Sequence, residues 1–557
     1  MTSKSTSTTP GQFPENLAER IRPRLEFLYG DRAGEAEAAI TERVERYAPS
    51  HEKASWTERD VVMITYGDQV RAADGPALPA LQEFLTSTEL LESINTVHIL
   101  PFCPYSSDDG FSVIDYRQVQ PEIGDWEHVR ELAGHVQLMF DLVLNHCSQQ
   151  SEWVQKYLAG DQPYTKYFVE ADPGADLSQV TRPRSLPLLT PFETTRGTRH
   201  VWTTFSADQV DLNFAEPAVL AEFIDILMIY VQQGERIIRL DAIAFLWKEI
   251  GTTCIHLRET HEVVKLMRDV LQAVAPHVLL LTETNVPHAE NVSYFGQGDE
   301  AHMVYQFSLP PLLLDACLSE DATALRNWLQ GLGDTPPGTT FFNFTASHDG
   351  IGVRPLEGLV SQERFDRLVA AALARGSLVG TRRNPAGGDT PYELNITYVD
   401  ALGEPGGMDA ALHARRFLSS QAVMLALPGV PGIYFHSLVG TQSDRQGAQT
   451  SGIARRTNSR ESKLEELRNA LADKDSLQAR IFAGYQRLLK VRTRQPAFHP
   501  DGGCELAELG DSALLGLQRT SCDELQHILC VTNLASELQQ FDLSHAGHEL
   551  MSEPHLT

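Results

Sequence analysis

The sequence contains no apolar run of the roughly 18 residues that a membrane span requires, and it has little positive charge. Its 46 Lys and Arg residues stand against 74 Asp and Glu residues, for a formal net charge of -28. Such a surface is unfavourable for binding nucleic acid or anionic lipid. Residues 1–11 are polar and lack the apolar core of a signal peptide. We therefore expect a disordered tail on a soluble, cytoplasmic protein with neither a nucleic-acid nor a membrane partner.

Cysteine is also scarce. The seven cysteines are scattered and include no Cys-x-x-Cys pair, so the chain has neither a disulfide framework nor a zinc motif. Cys147 directly follows His146, which could suggest a pair of metal ligands, but a buried and unreactive thiol is the more usual state of such a cysteine. We expect a reducing compartment, no bound metal and no cofactor.

Apolar, β-branched segments alternate with helical patterns along most of the 557 residues. This alternation predicts parallel strands joined by helices, and eight such units make a (β/α)8 TIM barrel. The predicted strands are 60–66, 95–102, 138–146, 236–242, 278–284, 303–307, 339–347 and 430–435. The clearest predicted helices are 14–54, 217–233, 256–275, 411–426 and 464–495.

Two stretches are too long for ordinary loops of such a barrel. Residues 147–214 follow strand three and are predicted to form an inserted subdomain B, and residues 350–410 follow strand seven as a second insertion, B′. The barrel itself is assigned to 55–146 and 215–349, with 411–497 completing it. Residues 1–54 are a tail with a helical extension, and 498–557 form a small C-terminal β domain.

Polar side chains stand at the ends of several predicted strands. Arg239 and Asp241 end strand four and, being two residues apart, face the same side. An arginine beside a carboxylate keeps it ionised and oriented, as a nucleophile requires. A structural ion pair at a strand end would look the same.

Three further segments favour the catalytic interpretation. They are Asp141-Leu-Val-Leu-Asn145-His146, Glu283 at the end of strand five, and His348-Asp349 at the end of strand seven. In this order the four segments resemble the signature regions of the alpha-amylase superfamily of glycoside-acting enzymes. In a barrel of this kind, the chemistry takes place where the strands end.

The resemblance implies a retaining mechanism, which needs two carboxyl groups about 5 Å apart. We expect Asp241 to be the nucleophile and Glu283, desolvated at the end of an apolar strand, to be the general acid/base. Asp349 would bind sugar hydroxyls more strongly in the transition state. His146 and His348 would donate hydrogen bonds to the sugar, although a histidine at such a position is ordinarily a satisfied core residue.

Residues 55–495 resemble, more narrowly, the sucrose phosphorylases. The similarity includes Asp108-Asp-Gly-Phe111 with the following Ile114-Asp115, the segment Gln306–Leu314, His348-Asp-Gly-Ile-Gly352, and Arg455-Arg-Thr-Asn458. In that family, the matching positions would line a glucose subsite: Asp108, Phe111, His146, Phe205, Arg239, Asp241, Glu283, His348, Asp349 and Arg455.

The same resemblance implies a phosphate and acceptor subsite. Arg182 and Arg184, in Arg-Pro-Arg, and Tyr392 match the phosphate side. An arginine fork suits two phosphate oxygens, although a solvated basic turn would have the same sequence. Inorganic phosphate would be a co-substrate.

One departure concerns the acceptor, because Glu393 stands where sucrose phosphorylases have Gln. We expect Glu393 to bind substrate, and a carboxylate there argues against fructose. Together with Thr282–His288, it resembles phosphorylases of glucosylglycerol and glucosylglycerate. An ionised Glu393 would repel glycerate unless Arg182 or Arg184 intervenes, so we expect phosphorolysis of 2-O-α-glucosylglycerol. Glucosylglycerate is the alternative, followed by sucrose.

Other functions remain possible from the sequence. A hydrolase or transglucosidase would use the same three carboxyl groups without requiring phosphate. A calcium-stabilised amylase is possible because Asn145 stands where amylases often place a calcium ligand. A non-catalytic, transporter-associated relative would ordinarily lack a catalytic carboxylate and contain a membrane span. The predicted partners are a small glucoside and phosphate, and the chain is expected to be a monomer or homodimer.

Overall fold

Eight parallel strands close into a barrel, which confirms the predicted (β/α)8 architecture. They are β1 Val62–Thr65, β2 Thr96–Ile99, β3 Gln137–Leu142, β4 Glu235–Leu240, β5 Leu279–Thr282, β6 Met303–Tyr305, β7 Thr340–Phe344 and β8 Val430–Tyr434. Each strand pairs with its neighbours in chain order, and β1 closes the ring by placing Val62 opposite both Thr96 and Gly432. Strands such as β1 are buried along their whole length, as expected for a parallel sheet covered on both faces.

The computed structural model describes residues 17–53, 55–184, 186–383 and 389–541. The predicted tail 1–11 and the end of the predicted C-terminal domain, 542–557, lie outside these residues. In the part of the chain that is described, no helix combines the length and apolarity needed to cross a membrane.

The helices surround the barrel and its insertions. They are Leu17–Tyr29, Ala33–Val44, Ala77–Ser87, Trp126–Ala133, Glu152–Ala159, Pro217–Gln232, Arg258–Val274, His288–Asn291, Leu309–Ser319, Thr323–Gln330, Gln362–Ala374, Tyr398–Ala401, Ala410–Ala426, Phe435–Leu438, Arg445–Ser451, Leu464–Ala472 and Leu477–Arg492.

Two long predicted helices are interrupted. Within 464–495, the first helix ends at Ala472, and Ser476 caps the next by accepting a hydrogen bond from the Ala479 amide. A serine in this position favours a helix start over a helix interior. Within 14–54, a single turn at Gly30–Arg32 separates two helices, and Gly30 has a φ of 53° that disfavours a continuous helix.

The insertions form small antiparallel sheets. Between β3 and β4, His146–Ser148 pairs with Gln209–Asp211, and Leu189–Thr194 forms a hairpin with Gly197–Trp202. Strand three was predicted to reach His146, but β3 ends at Leu142, because the chain leaves the barrel there and His146 joins the inserted ribbon.

Beyond β7, Asp389–Asn395 pairs with both Ile351–Gly352 and Leu378–Arg383. Near the C-terminus, Gly503–Ala507, Leu514–Thr520 and His527–Asn533 form a three-stranded antiparallel sheet. The two-residue strands Val70–Arg71 and Ser462–Lys463 pair in parallel. Both insertions start from strands of the barrel and therefore stand at the edge where those strands end.

Candidate active site

Asp241 and Glu283 follow β4 and β5 directly, at the same rim of the barrel. Backbone pairing continues into both residues: the Asp241 amide donates to the Leu142 carbonyl at 3.3 Å, and the Glu283 amide donates to the Leu240 carbonyl at 3.1 Å. The next amide, of Ala242, donates to Glu283 Oε2 at 3.1 Å. The barrel backbone therefore positions the two carboxyl groups that the sequence singled out.

Ala242 has a left-handed backbone, with φ of 47°. This conformation is strained for a residue other than glycine, and such strain concentrates at functional sites. Here it turns the chain immediately after Asp241 and aims the Ala242 amide at Glu283.

Arg239 connects Asp241 to the barrel interior. Its Nη1 donates to Asp241 Oδ1 at 2.9 Å and also to Asp141 Oδ1. His98 Nε2 lies 2.6 Å from Asp141 Oδ2. The sequence analysis named Asp141 only as part of a signature segment, and it did not single out His98, because a lone histidine inside an apolar strand gives no signal. The two residues orient the arginine that contacts the expected nucleophile.

The site concentrates carboxyl groups, which affects their protonation. Burial raises the pKa of Asp241 well above its usual range; Arg239 opposes the shift, and Glu283 and Asp141 reinforce it. The sequence predicted that Arg239 would keep Asp241 ionised, but the guanidinium is shared with Asp141 and offsets only part of the burial.

Glu283 has a raised pKa as well, chiefly because it is buried. Two neighbouring carboxyls with raised pKa values titrate as a coupled pair. Asp241 is the member that forms an ion pair with a guanidinium, which favours its ionised form over that of Glu283. This arrangement is the one that a nucleophile and a general acid require.

Asp349 is held on the other side of the rim by Arg455, whose Nη1 donates to Asp349 Oδ1 at 2.8 Å. Although burial opposes it, His348 and Arg455 lower the pKa of Asp349 below its usual range. Arg455 also donates through Nη2 to Asp108. One guanidinium thereby joins carboxylates from the loops after β2 and β7.

Aromatic rings flank this group. Phe111 stacks on His348 with ring centroids 4.9 Å apart, and Phe205 lies 5.2 Å from His146. Burial lowers the pKa of His146, and lowers that of His348 to about 4. Both imidazoles are therefore neutral near pH 7 and carry one N–H donor each. His146 Nε2 lies 2.9 Å from the Phe111 carbonyl oxygen.

Gln209 is a residue that the sequence analysis missed. Its Nε2 donates to Asp108 Oδ2 at 3.0 Å and lies 3.1 Å from His146 Nε2. It comes from the insertion between β3 and β4 and belongs to no strand-end motif, so no local pattern could reveal it.

Tyr392 and Glu393 lie on the strand Asp389–Asn395, whose pairing with Ile351–Gly352 carries them to the rim. Glu393 is buried, and its Oε1 accepts a hydrogen bond from the Gly350 amide at 3.1 Å. Burial raises the pKa of Glu393, Asp349 adds to the shift, and Arg455 and Arg184 oppose it. Burial also raises the pKa of Tyr392 to about 12.

Arg184 and Arg182 are exposed on the insertion between β3 and β4. The charge of Arg184 lowers the pKa of both Tyr392 and Glu393. Arg184 therefore lies within electrostatic reach of the rim. Arg182 donates to the Leu186 carbonyl within its own loop. Of the two arginines, Arg184 is therefore the one whose charge reaches Tyr392 and Glu393.

Lys248 occupies the position beside Asn145 at which the sequence analysis considered a calcium ion. Its Nζ lies 2.6 Å from Asn145 Oδ1 and 2.8 Å from Asp211 Oδ2, and its side chain is 2% exposed. Among the described residues, no group of three or more His, Cys, Asp or Glu side chains is arranged to hold a metal ion. The ammonium group of Lys248 thus neutralises Asp211 at this position.

Replacing Lys248 with Met should destabilise the fold by about 3 kcal/mol or more, because Asp211 would remain buried without its counter-ion. Denaturant-induced unfolding measures this loss. In the double variant Lys248→Met/Asp211→Asn, part of the stability should return, since no unpaired charge is left. Equal stability of Lys248→Met and the unmodified protein would contradict the ion pair.

Comparisons with known proteins identify the family. Residues 92–332 match the model of the alpha amylase catalytic domain. The glucosylglycerate phosphorylase of Allomeiothermus silvanus is 49% identical over 538 residues, 96% of this chain and 96% of that protein. The glucosylglycerate phosphorylase of Spirochaeta thermophila is 48% identical over 527 residues, 93% of this chain and 89% of that protein.

More distant matches include a further curated relative and a solved structure. The glucosylglycerol phosphorylase of Marinobacter adhaerens is 28% identical over 443 residues, 77% of this chain and 87% of that protein. The crystal structure of sucrose 6F-phosphate phosphorylase from Thermoanaerobacter thermosaccharolyticum superimposes with a TM-score of 0.74 at 24% identity, covering 86% of this chain and 94% of that one. The chain belongs to the alpha-amylase superfamily, in the sucrose phosphorylase branch that includes the glucosylglycerate phosphorylases.

Proposed function

We propose that this chain is a configuration-retaining glucosylglycerate phosphorylase, which converts glucosylglycerate and phosphate reversibly to α-glucose 1-phosphate and glycerate. The observation that carries the proposal is the placement of Asp241 and Glu283 on one rim of the barrel. There Arg239 donates a hydrogen bond to Asp241, and the Ala242 amide donates one to Glu283. The names of the two relatives at 48% and 49% identity support the choice of substrate.

The reaction proceeds by two displacements. Asp241 attacks the anomeric carbon while Glu283 gives its proton to the glycosidic oxygen, and glycerate leaves. A phosphate oxygen then attacks the glucosyl-enzyme, the bond to Asp241 breaks, and Glu283 accepts a proton from the phosphate. Asp349 and Arg455 bind the sugar hydroxyls, and no cofactor takes part.

Glucosylglycerol, which the sequence analysis favoured, is now the second candidate. That preference assumed an ionised Glu393 that would repel glycerate. Burial and the neighbouring Asp349 raise the pKa of Glu393, whereas Arg455 and Arg184 lower it and the Gly350 amide favours its charged form. A protonated Glu393 does not repel an anionic acceptor, so the raised pKa weakens the electrostatic argument against glycerate.

The direct test offers α-glucose 1-phosphate together with glycerate, glycerol or fructose, and measures the release of phosphate. We expect kcat/KM for glycerate to exceed that for glycerol by at least about tenfold, a difference of about 1.4 kcal/mol in transition-state binding. Equal rates with the three acceptors would refute the proposed specificity. Glucose release at the same rate without any acceptor would indicate a hydrolase.

Replacing Glu393 with Gln should change how the use of glycerate depends on pH. In the unmodified protein, Glu393 loses its proton as the pH rises through its raised pKa, and the new charge repels glycerate, so KM for glycerate should increase. In the Gln variant this increase should disappear. Glycerol is the matched control, since a neutral acceptor should show no such increase. A pH dependence of the glycerate KM shared by both proteins would count against the idea.

Replacing Arg184 with Ala should raise KM for phosphate by about tenfold, because a charge-assisted contact to an anion contributes about 1.5–3 kcal/mol. The experiment measures two quantities in Arg184→Ala and in the unmodified protein: KM for phosphate in phosphorolysis, and the hydrolysis rate without phosphate. Arg415→Ala, at an exposed position on the helix Ala410–Ala426, is the control. Equal losses of phosphorolysis and hydrolysis in Arg184→Ala would remove its phosphate role.

A further inference from the structure

The loop that carries Asp108 is strained. Asp108, Asp109 and Gly110 are three consecutive residues with positive φ, at 55°, 50° and 108°. A non-glycine residue in this region is strained and persists only where its surroundings enforce the conformation. At Gly110, a Cβ atom would lie 2.5 Å from the Pro101 carbonyl oxygen. Other contacts must therefore hold Asp108 in this conformation.

Asp208 supplies such contacts from the insertion between β3 and β4. Its Oδ2 accepts hydrogen bonds from Ser106 at 2.5 Å, from Ser107, and from Ser112 at 2.8 Å. These serines flank the strained turn on both sides, so one carboxylate oxygen ties its two ends together. The Asp208 carbonyl also accepts the Gln149 amide at 2.9 Å, which anchors the insertion to its own ribbon.

The charge of Asp208 suits this arrangement. Three hydroxyl groups converge on one oxygen, and a carboxylate offers acceptor capacity without any competing donor. Although burial opposes it, the serine hydroxyls lower the pKa of Asp208. An asparagine would present either a weaker acceptor or an amide N–H that faces the hydroxyl groups.

Gln209, which follows Asp208 in the chain, contacts the side chain of Asp108. Gln209 donates to Asp108 Oδ2 at 3.0 Å, while Arg455 binds the other carboxylate oxygen and continues to Asp349. Residues 208 and 209 thus hold the backbone and the side chain of Asp108, respectively. On the acceptor side, Glu393 belongs to the insertion after β7, whereas Arg184 lies in another loop of the same insertion as Asp208.

We propose that Asp208 is a positioning residue that sets the affinity of the site for the glucosyl group by holding the Asp108 turn, without itself contacting substrate. The inference rests on the proposed function, since it assigns a glucose side to the rim. Its consequence is selective: loss of Asp208 weakens binding of the glucosyl group and leaves the acceptor side intact.

The test compares Asp208→Asn with the unmodified protein in the synthetic direction. We expect KM for α-glucose 1-phosphate to rise at least about tenfold, while KM for glycerate changes less than about twofold. Asp176→Asn, at an exposed position of the same insertion, is the matched control and should alter neither value. Ser107→Ala removes one of the three donors and should cause a smaller rise in the same parameter.

A double variant tests the route of the effect. If Asp208 acts through Asp108, then Asp108→Asn/Asp208→Asn should be no worse than Asp108→Asn alone, because coupled residues are not additive. Parallel increases of both KM values with a large fall in the thermal midpoint would make Asp208 merely structural. Unchanged kinetics in both Asp208→Asn and Ser107→Ala would overturn the proposal.

A binding measurement separates this inference from the proposed function. The rise in thermal midpoint on adding α-glucose 1-phosphate requires no turnover and no assumption about the acceptor. A reduced rise in Asp208→Asn would support the positioning role even if glycerate proved to be the wrong acceptor. An undiminished rise would refute it even if glycerate were the right one.

Discussion

Replacing Asp241 with Asn should lower kcat by at least about 10³-fold in both directions, because removing a catalytic nucleophile commonly costs this much or more. Asparagine keeps the size of the side chain and an oxygen for Arg239, so the local geometry should survive. The rate of phosphate release, with stopped assays long enough to detect slow turnover, measures the loss.

The same substitution should not destabilise the protein. Burial raises the pKa of Asp241 in the folded state, so its ionised form costs folding free energy at every pH above the value in the unfolded chain. Asparagine removes that cost, and Arg239 retains Asp141. We expect a thermal midpoint equal to or above that of the unmodified protein, and Asp172→Asn, at an exposed position, serves as the control. Substantial activity in a well-folded Asp241→Asn variant would remove the nucleophile assignment.

Replacing Glu283 with Gln should reduce phosphorolysis of glucosylglycerate by about 10²–10⁴-fold, the usual contribution of general acid catalysis. Glycerate leaves poorly without a proton, whereas fluoride needs little help. The first step on α-glucosyl fluoride should therefore lose much less, and the ratio of the two rates distinguishes a general acid from a nucleophile.

The pH dependence offers a second view of Glu283. Burial raises its pKa, so the acid form persists toward neutral pH, and the activity on glucosylglycerate should fall as the pH rises through that pKa. In Glu283→Gln this alkaline decline should be absent. An identical loss on both substrates, or an unchanged alkaline decline, would mean that Glu283 does not deliver the proton.

Much of this site could be predicted because its central groups stand at strand ends. Backbone pairing of the barrel places Arg239, Asp241 and Glu283. Strands that pair in this way have a local pattern of apolar residues that can be recognised in the sequence. The predicted (β/α)8 fold followed from the same alternation of strands and helices. The assignment of Arg184 and Glu393 needed the resemblance, since a basic turn and a strand glutamate are common in any protein.

The remainder depends on contacts between distant segments. Gln209 contacts Asp108, and Asp208 contacts the serines that flank it, across about a hundred residues of chain. No periodicity in the sequence predicts such contacts. The environment of Glu393 could not be predicted for the same reason, because the burial that raises its pKa and its bond to Gly350 arise only in the fold. The acceptor preference changed with it, and the relatives at 48% and 49% identity point toward glycerate.

The ammonium group between Asn145 and Asp211 has a consequence for the conditions under which the enzyme can work. A loop that binds a cation from solution loses this support when the ion is diluted or removed by a chelator. The charge of Lys248 is part of the chain and cannot be removed in this way. The segment leading to His146 should hence keep its shape, and its readiness for substrate, whatever the divalent-ion content of the medium.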